Sequence, residues 1–314
     1  MNIVFCGDRN IAKPAAVTAK SIRLANQQDI ELKFIVIGYN WSSEDVAFFE
    51  KIVGNVEYIE TYGCELPEVK YRRHVPNTAY LVLKIPELLS QYERLIYLDA
   101  DLYIRDQRFF ELNNIDLEGH TIAATLDCGP PYAANEKGIV DWRNLGMNPM
   151  AKLLNSGVMI LDNKRLIESG YFEKAFEYAF SSGDSMRLAD QDAINIVLNG
   201  LWKRLDQSYN YMPRCIHDTG GIYGFIDMKE LDAACGNPCV VHFAGKFKPW
   251  INMEDTPWFD EWKSIAAMTG WTPWLYNQKN GLYFQLKKAV RFSILVITKI
   301  YKEVRKIGYY WQRI

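Results

Sequence analysis

Two aspartates, Asp99 and Asp101, directly follow the apolar run 95–98 and could together hold a divalent cation. The predicted strand ends here, so the backbone can bend both carboxylates toward one point. Carboxylates that share a point repel each other unless a cation or a proton lies between them. Oxygen ligands with room for phosphate oxygens suit Mg²⁺ or Mn²⁺, and an added imidazole from His242 moves the preference toward Mn²⁺.

The same two acids have a simpler interpretation as strand-end residues that pair with Arg94 or Arg105. A lone D-x-D motif is short enough to occur often by chance, so on its own it favours this interpretation. Asp8 and His242, however, also lie after or within apolar runs. Ligands of open parallel sheets bind outside the carboxyl ends of the strands, so we expect these side chains to share one site.

The elements that must position these side chains form a βα pattern in the first half of the chain. Short apolar runs alternate with helix-like stretches, which is typical of a mostly parallel sheet covered by helices. The predicted strands are 2–6, 32–37, 56–59, 94–98, 121–126, 155–162 and 239–245, and the predicted helices are 15–26, 42–53, 77–91, 163–182 and 190–200. We expect Pro86 to kink or divide the third of these helices. The pattern predicts an α/β, Rossmann-like fold.

The composition is that of a globular protein, with 314 residues of which 49% are hydrophobic and 24% charged, and it allows a large core. No stretch approaches the roughly 20 apolar residues that span a bilayer, and the N-terminus lacks a signal-peptide pattern. The six cysteines include one close pair, Cys235 and Cys239, without the second pair that would complete a zinc site. We therefore expect a cytoplasmic protein with reduced thiols.

Five motifs, taken in order, closely resemble the signature series of the family 8 retaining glycosyltransferases, which adopt the GT-A fold. They are FCGDRN, YLDADLYIRD, LLNSGVMILD, DQDAINIVL and HFAGKFKPW, and they cover most of the chain up to residue 250. D-x-D and N-S-G are weak signals singly, whereas the His-x-x-Gly-x-x-Lys-Pro-Trp block at 242–250 is specific. The resemblance implies a galactosyl- or glucosyltransferase of the kind that builds bacterial lipopolysaccharide and surface glycans.

The resemblance also implies roles for individual residues. Asp99, Asp101 and His242 would bind Mn²⁺, with Mg²⁺ as the other candidate, and the ion would bridge the diphosphate of a UDP-hexose. Its chemistry would be to stabilise the charge that develops on the leaving diphosphate. Lys248 would add a positive charge at the phosphates, and Gly245 would let the backbone come close to them.

For the rest of the donor, the resemblance places Asp8 against the base or ribose, with Asn155, Asp190 and Gln191 around the sugar. Transfer in this family retains the anomeric configuration. Either Asp190 or Gln191 attacks covalently, or the acceptor hydroxyl enters on the leaving-group face while a phosphate oxygen takes its proton. An amide is a poor nucleophile, which favours the second route.

Each assignment has a structural alternative. Asp8 and Asp190 could each cap the helix that follows, because Asp is a preferred N-cap, with Asp192 as the residue that faces the solvent. The segment 155–157 could be a turn. His242 lies between apolar neighbours and could be a core histidine.

The segment 286–314 carries eight basic residues and one acid, although the whole chain has a net charge of −2. Its apolar residues recur at spacings of three and four, and aromatic residues lie near its end, as in an amphipathic helix that lies in the headgroup layer of an anionic membrane. At about 1 kcal/mol per base near such a surface, half of these charges would localise the protein. The alternative is an ordinary final helix docked on the body.

These observations predict three parts: a nucleotide-sugar-binding GT-A domain at 1–250, a helical and aromatic extension that packs on it at 251–285, and a basic membrane-associating tail at 286–314. The expected location is the cytoplasm, peripheral on the inner face of the cell membrane. The expected acceptor is a lipid-linked glycan or lipopolysaccharide, and nucleic acid is not an expected partner.

The leading hypothesis is a metal-dependent retaining hexosyltransferase that moves glucose or galactose from a UDP-sugar to a hydroxyl of a glycan. One alternative is a phosphohydrolase with Asp99 as nucleophile and Asp101 as acid, although Tyr103 stands where that pattern has Thr or Val. Another alternative is a catalytically inactive protein that binds nucleotide sugars.

Overall fold

The computed structural model describes residues 1–69, 76–182, 186–213, 228–245, 248–251 and 258–273. The chain divides into a compact unit, Met1–Trp271, and a second unit, Thr272–Ile314. The predicted tail 286–314 lies outside the described residues, as does part of the predicted extension 251–285. The division of the chain into three parts stays a prediction.

Seven strands form one mostly parallel sheet, in the order β3-β2-β1-β4-β7-β6-β8, and a short antiparallel pair, β5-β9, forms a second. The strands are β1 (Asn2–Asp8), β2 (Lys33–Tyr39), β3 (Val56–Glu60), β4 (Arg94–Leu98), β5 (Leu102–Ile104), β6 (Ile122–Leu126), β7 (Leu154–Asp162), β8 (Lys203–Arg204) and β9 (Val240–His242). In the large sheet only β7 is reversed, antiparallel to both β4 and β6. The predicted α/β class is confirmed, and β5 and β8 are additions to the predicted strands.

The helices are α1 (Ala12–Ala25), α2 (Ser43–Val53), α3 (Ile85–Leu88), α4 (Asn163–Ser169), α5 (Tyr171–Ser182), α6 (Asp190–Leu198), α7 (Met228–Gly236) and α8 (Phe259–Met268). Two predicted helices differ from this. The stretch 77–91 is a 3₁₀ helix, Asn77–Lys84, followed by the single turn α3. Pro86 lies at the start of that turn and has no N–H to continue the preceding hydrogen bonds, so it divides the segment as expected.

The predicted helix 163–182 is likewise two helices. Gly170 ends α4 in the left-handed region, with φ of 63°. Glycine adopts this conformation without steric cost, and a left-handed residue turns the chain out of the helix axis. The helix α5 then begins at Tyr171.

Helix α1 holds the turn that follows β4. Its small apolar side chains are fully buried, namely Ala12, Ala15, Ala16 and Ala19. On the same helix, Thr18 Oγ1 lies 2.8 Å from the carbonyl oxygen of Ala100 and 3.0 Å from that of Leu102. The buried hydroxyl therefore fixes the backbone on both sides of Asp101.

The second sheet brings His242 beside the same turn. Leu102 pairs with His242 in the antiparallel register of β5 and β9, and the N–H of Phe243 donates to the carbonyl oxygen of Asp101 over 3.0 Å. Two segments far apart in the sequence are thus tied by backbone hydrogen bonds. Within the described part of the chain, no helix combines the length and apolar character required to cross a bilayer.

Candidate active site

Asp99, Asp101 and His242, which we call the metal-ligand cluster, meet beyond the carboxyl end of β4. His242 Nε2 lies 3.5 Å from Asp99 Oδ2 and 3.4 Å from Asp101 Oδ1. One ligand atom from each residue lies within 4.8 Å of the other two. The side chains of Asp101 and His242 are 7% and 4% exposed, whereas that of Asp99 is 33% exposed. A ligand can therefore reach the cluster from the side of Asp99.

The second oxygen of each aspartate is already engaged. The Tyr97 hydroxyl donates to Asp99 Oδ1 over 2.8 Å. The Lys248 ammonium pairs with Asp101 Oδ2. Each carboxylate is therefore held by one oxygen, while its other oxygen faces the imidazole.

The two carboxyl groups differ in their electrostatics. Burial, followed by the charge of Asp101, raises the pKa of Asp99. Burial also disfavours the charged form of Asp101, but the charge of Lys248, followed by the interaction with His242, outweighs it and lowers the pKa of Asp101. A cation between the carboxylates would relieve their repulsion, and two carboxylate oxygens with one imidazole nitrogen form a donor set that fits Mn²⁺ or Mg²⁺.

The simpler interpretation, in which strand-end arginines pair with these acids, is wrong. Arg94 donates to two backbone carbonyls in the segment 112–115. Arg105 donates to the side chain of Asn237 and the carbonyl of Pro238. The partners of the two aspartates are instead Tyr97, Lys248 and His242.

Beside the metal-ligand cluster lies an amide cluster, composed of Asp127, Asn155, Gln191 and Asn210. Asn155 Nδ2 donates to Asp127 Oδ2 over 3.1 Å and to Gln191 Oε1 over 3.0 Å. Gln191 Nε2 donates to the same Asp127 oxygen over 2.8 Å, and Asn210 Nδ2 donates to Asn155 Oδ1 over 2.8 Å. All four side chains are buried, and each of their polar atoms has a hydrogen-bond partner.

Asn155 and Gln191 therefore lie together, as the motif series predicts, and Asn155 belongs to β7 rather than to a turn. Burial raises the pKa of Asp127, although the hydrogen bonds from Asn155 and Gln191 oppose it. The backbone N–H of Ser156 donates to Gln191 Oε1 over 3.2 Å. Gln191 is thus held by hydrogen bonds at both ends of its amide.

Asp190 is the first residue of α6, and the N-cap position belongs to Ala189. Ala189 has φ of 48°, an uncommon conformation for a residue with a Cβ, and it directs Asp190 toward Ser156, whose hydroxyl donates to Asp190 Oδ2 over 3.3 Å. Burial, followed by the charge of Asp99, raises the pKa of Asp190. The negative charge of Asp99 in the metal-ligand cluster therefore disfavours ionisation of Asp190.

The expectation that Asp192 faces the solvent is wrong. Asp192 is only 4% exposed. Its Oδ2 accepts hydrogen bonds from the backbone N–H groups of Arg187, over 2.6 Å, and Leu188, over 3.0 Å. Those N–H groups precede α6 and have no partner within the helix, so the buried carboxylate satisfies them. Asp192 is thus a structural residue of the loop that leads to Asp190.

Asp8 lies at the end of β1, where it caps a 3₁₀ turn, Arg9–Ile11, by accepting the N–H of Asn10 over 2.8 Å. The capping alternative is therefore realised for Asp8, and its role toward the donor stays a prediction.

Gly157 in β7 packs against His242, and a Cβ at position 157 would overlap the imidazole ring.

Gly245 has φ of 86°, in the left-handed region where glycine is favoured, and no atom approaches the position of its missing Cβ. Lys248 also donates to the carbonyl oxygen of Phe243 over 3.3 Å, in addition to its pair with Asp101. The lysine is therefore at the metal-ligand cluster, and its contact with donor phosphates stays a prediction.

The motifs did not indicate three residues that belong to the two clusters or contact them. Asp127 directly follows the predicted strand 121–126, the same signal that marked Asp99 after 94–98, and could have been found. Tyr97 and Asn210 carry no such signal, because a strand tyrosine and a loop asparagine are common. Their roles depend on the three-dimensional arrangement.

A family model described as "Glycosyl transferase family 8" matches residues 2–254. The chain belongs to glycosyltransferase family 8. It is 26% identical over 279 residues to General stress protein A of Bacillus subtilis (strain 168), covering 86% of this chain and 94% of that protein. It is also 26% identical over 285 residues to the Lipopolysaccharide 1,2-glucosyltransferase of Escherichia coli (strain K12), covering 83% of this chain and 80% of that protein.

Solved structures confirm the GT-A fold. A complex of the galactosyltransferase LgtC with donor and acceptor sugar analogues matches with a TM-score of 0.71 at 24% identity, covering 85% of this chain and 96% of that chain. The bifunctional glycosyltransferase WbbM matches with a TM-score of 0.68 at 20% identity, covering 88% of this chain and 51% of that chain. The protein is thus a GT-A glycosyltransferase, and such enzymes transfer a sugar from a nucleotide-sugar donor to a glycan acceptor.

Proposed function

We propose that this protein is a metal-dependent retaining hexosyltransferase that moves glucose or galactose from a UDP-sugar to a hydroxyl of a glycan. The observation that carries the proposal is the convergence of Asp99, Asp101 and His242, of which one ligand atom each lies within 4.8 Å of the others. His242 Nε2 itself lies 3.5 Å from Asp99 Oδ2 and 3.4 Å from Asp101 Oδ1. Each of these residues is held by its other polar atom, so the three facing atoms are already oriented.

The names of similar proteins support the substrate class. A relative in Escherichia coli is a lipopolysaccharide glucosyltransferase, and LgtC is a galactosyltransferase crystallised with sugar analogues. These names support glucose or galactose as the transferred sugar and lipopolysaccharide or another lipid-linked glycan as the acceptor.

Asp99, Asp101 and His242 would hold Mn²⁺ or Mg²⁺, whose chemistry is to stabilise negative charge on a leaving diphosphate. Lys248 places a positive charge beside the same cluster, where it would stabilise that charge further. The amide cluster would orient the sugar, because its hydrogen bonds fix the positions of Asn155 and Gln191 before a ligand arrives.

The partners of Gln191 support one of the two retention routes. Its Oε1 accepts hydrogen bonds from Asn155 and from the backbone of Ser156, and Nε2 donates to Asp127. An amide is a poor nucleophile, and these bonds hold it in place. We therefore assign Gln191 to positioning and favour entry of the acceptor hydroxyl on the leaving-group face, with covalent attack by Asp190 as the alternative.

We further propose that the basic segment 286–314 holds the enzyme on the inner face of the cell membrane, on the cytoplasmic side, near a lipid-linked acceptor. The support is its charge, eight basic residues against one acid. A chain truncated at Gly281 should keep donor hydrolysis and lose flotation with vesicles that contain anionic lipid. Equal flotation of both chains would contradict the tail's role.

The catalytic proposal is tested by UDP release from UDP-glucose and UDP-galactose in the presence of Mn²⁺. We expect slow release by the native chain and none by Asp101→Asn. Asp116→Asn, at an exposed position, is the matched control and should keep the native rate. Phosphate release from a phosphomonoester would instead indicate a phosphohydrolase, and no turnover of any nucleotide sugar would indicate an inactive binding protein.

A further inference from the structure

Asn210 joins the metal-ligand cluster to the amide cluster. It is fully buried at the end of a 3₁₀ turn, Gln207–Asn210. Its Nδ2 donates to Asn155 Oδ1 over 2.8 Å, and its Oδ1 lies 2.9 Å from His242 Nδ1. One planar amide therefore faces an acceptor on one side and a histidine ring on the other.

The orientation of Asn155 is fixed by a backbone group. The N–H of Gly157 points at Asn155 over 3.1 Å. A backbone N–H can only donate, so the side-chain atom that it faces must be the amide oxygen. The nitrogen of Asn155 then faces Asp127 and Gln191, where it has two acceptors. This assignment does not depend on the protonation of any side chain.

The orientation of Asn210 follows from that of Asn155. Because Asn155 presents an oxygen, Asn210 must present its nitrogen there and its oxygen to His242. A carbonyl oxygen can only accept, so His242 Nδ1 carries a hydrogen and donates it. In a neutral ring the lone pair then lies on Nε2.

The other neutral tautomer, with its hydrogen on Nε2, would form longer and weaker hydrogen bonds. A hydrogen on Nε2 would have to reach Asp99 over 3.5 Å or Asp101 over 3.4 Å. Good N–H···O hydrogen bonds span about 2.7–3.2 Å. The contact of Nδ1 with Asn210, at 2.9 Å, lies inside this range and should decide the tautomer.

We propose that Asn210 is a positioning residue that holds His242 in the tautomer with hydrogen on Nδ1, so that the lone pair of Nε2 faces the two carboxylates. The purpose of this arrangement rests on the proposed metal-dependent function. The tautomer itself is a property of the protein without metal. Partners of this kind typically contribute about 10- to 100-fold to metal affinity.

The test is ¹⁵N spectroscopy of histidine-labelled, metal-free full-length protein at a pH where the ¹⁵N shifts of His242 themselves show a neutral ring. The His242 signals are assigned by their loss in His242→Gln. We expect a protonated Nδ1 and an unprotonated Nε2 in the native chain. Asn210→Leu, which removes the acceptor, should mix or reverse the tautomers and weaken Mn²⁺ binding, measured by electron paramagnetic resonance, about 10- to 100-fold.

Two further variants separate positioning from folding. Asn210→Asp keeps an acceptor opposite Nδ1 and should keep the hydrogen on that atom, while it loses the hydrogen bond to Asn155 Oδ1 and should therefore lower stability. Asn163→Leu is the control, since Asn163 is also fully buried and donates to the carbonyls of Leu89 and Tyr92. It should lower stability and leave the tautomer and the Mn²⁺ affinity unchanged.

A native His242 with hydrogen on Nε2 would overturn the proposal. So would a folded Asn210→Leu protein that keeps the native tautomer and binds Mn²⁺ as tightly as the native chain. If Asn210→Leu does not fold, the native spectrum and Asn210→Asp decide. If the native chain binds no Mn²⁺, the proposed function fails, and the tautomer of the native chain still decides this inference.

Discussion

The metal-ligand cluster and the amide cluster meet at Asn210, and they differ in how completely their polar atoms are hydrogen-bonded. In the amide cluster every side-chain oxygen and nitrogen has a hydrogen-bond partner. In the metal-ligand cluster three atoms face one another at distances too long for good hydrogen bonds. A satisfied buried network stabilises the fold, whereas facing carboxylates cost stability until a cation binds. Substitutions in the metal-ligand cluster should therefore reduce activity or metal affinity, whereas substitutions in the amide cluster should reduce stability.

Among the variants that contrast the two clusters, the largest effect is expected for Asp99→Asn. Loss of a charged ligand should remove several kcal/mol of transition-state stabilisation, which lowers the rate of UDP release about 10²- to 10³-fold. The free energy of unfolding without metal should stay the same or rise, because the repulsion between Asp99 and Asp101 is gone. Denaturant titration and the release assay check both parts, and a large loss of stability would contradict the contrast between the clusters.

Gly157→Ala should act on His242 through packing. The added Cβ would overlap the imidazole ring and displace it, so Mn²⁺ affinity should fall about 10- to 100-fold. Gly236→Ala is the matched control, since no atom lies near its missing Cβ. Equal Mn²⁺ affinity in both variants, measured by electron paramagnetic resonance, would show that the ring position does not matter.

Gln191→Glu tests the amide cluster. A carboxylate at this position would face Asp127 Oδ2, which now accepts from Gln191 Nε2 over 2.8 Å. The lost hydrogen bond should cost about 1–3 kcal/mol. Burial and the facing carboxylate should raise the pKa of the new glutamate in the folded state, so the variant binds a proton more tightly when folded. Its stability should therefore fall as the pH rises, with a larger penalty at pH 8 than at pH 5.

The matched control for that variant is Gln28→Glu, which introduces the same charge at an exposed position. Its unfolding free energy should match that of the native chain at both values of pH. If the loss of unfolding free energy in Gln191→Glu does not grow with pH, the prediction is contradicted, and the new carboxylate faces the solvent rather than Asp127.

The smallest effect is expected for Asp190→Asn. Burial and the charge of Asp99 raise the pKa of Asp190 in the folded protein. An acid with a raised folded pKa loses stability as the pH rises from its unfolded pKa toward its folded pKa. Asparagine does not titrate and can still accept the Ser156 hydroxyl. The metal-free variant should therefore be more stable than the native chain at neutral pH, by an amount that shrinks as the pH falls, and lower stability in denaturant titration at neutral pH would contradict this.

The sequence predicted the sheet well where the signal was local. Apolar runs marked β1, β2, β3, β4, β6 and β7, and Pro86 marked the division of the third helix. The reversed direction of β7 could not be predicted, because strand direction depends on the partners across the sheet. The strand β5 was missed because three residues are too few for a periodic pattern. The break at Gly170 could not be predicted, because it depends on the left-handed conformation of this residue. A single glycine in a helical pattern is often tolerated within one helix.

For the site, the motif series indicated Asp99, Asp101 and His242 before any geometry was known, and the structure brings them together. The burial of Asp192 was not predictable, since an acid near a helix start can face either the solvent or its own loop. Asn210 was missed because its role comes from two neighbours that are distant in sequence. Motifs thus indicated the ligands, and packing determined which residues orient them.

The central claim is that Asp99, Asp101 and His242 bind one divalent cation. Titration of metal-free protein with Mn²⁺ in the presence of UDP, followed by electron paramagnetic resonance, tests it directly, with His242→Gln in parallel. We expect one bound ion per native chain and a loss of that binding in the variant. Absence of binding by the native chain, or equal binding by His242→Gln, would contradict the claim.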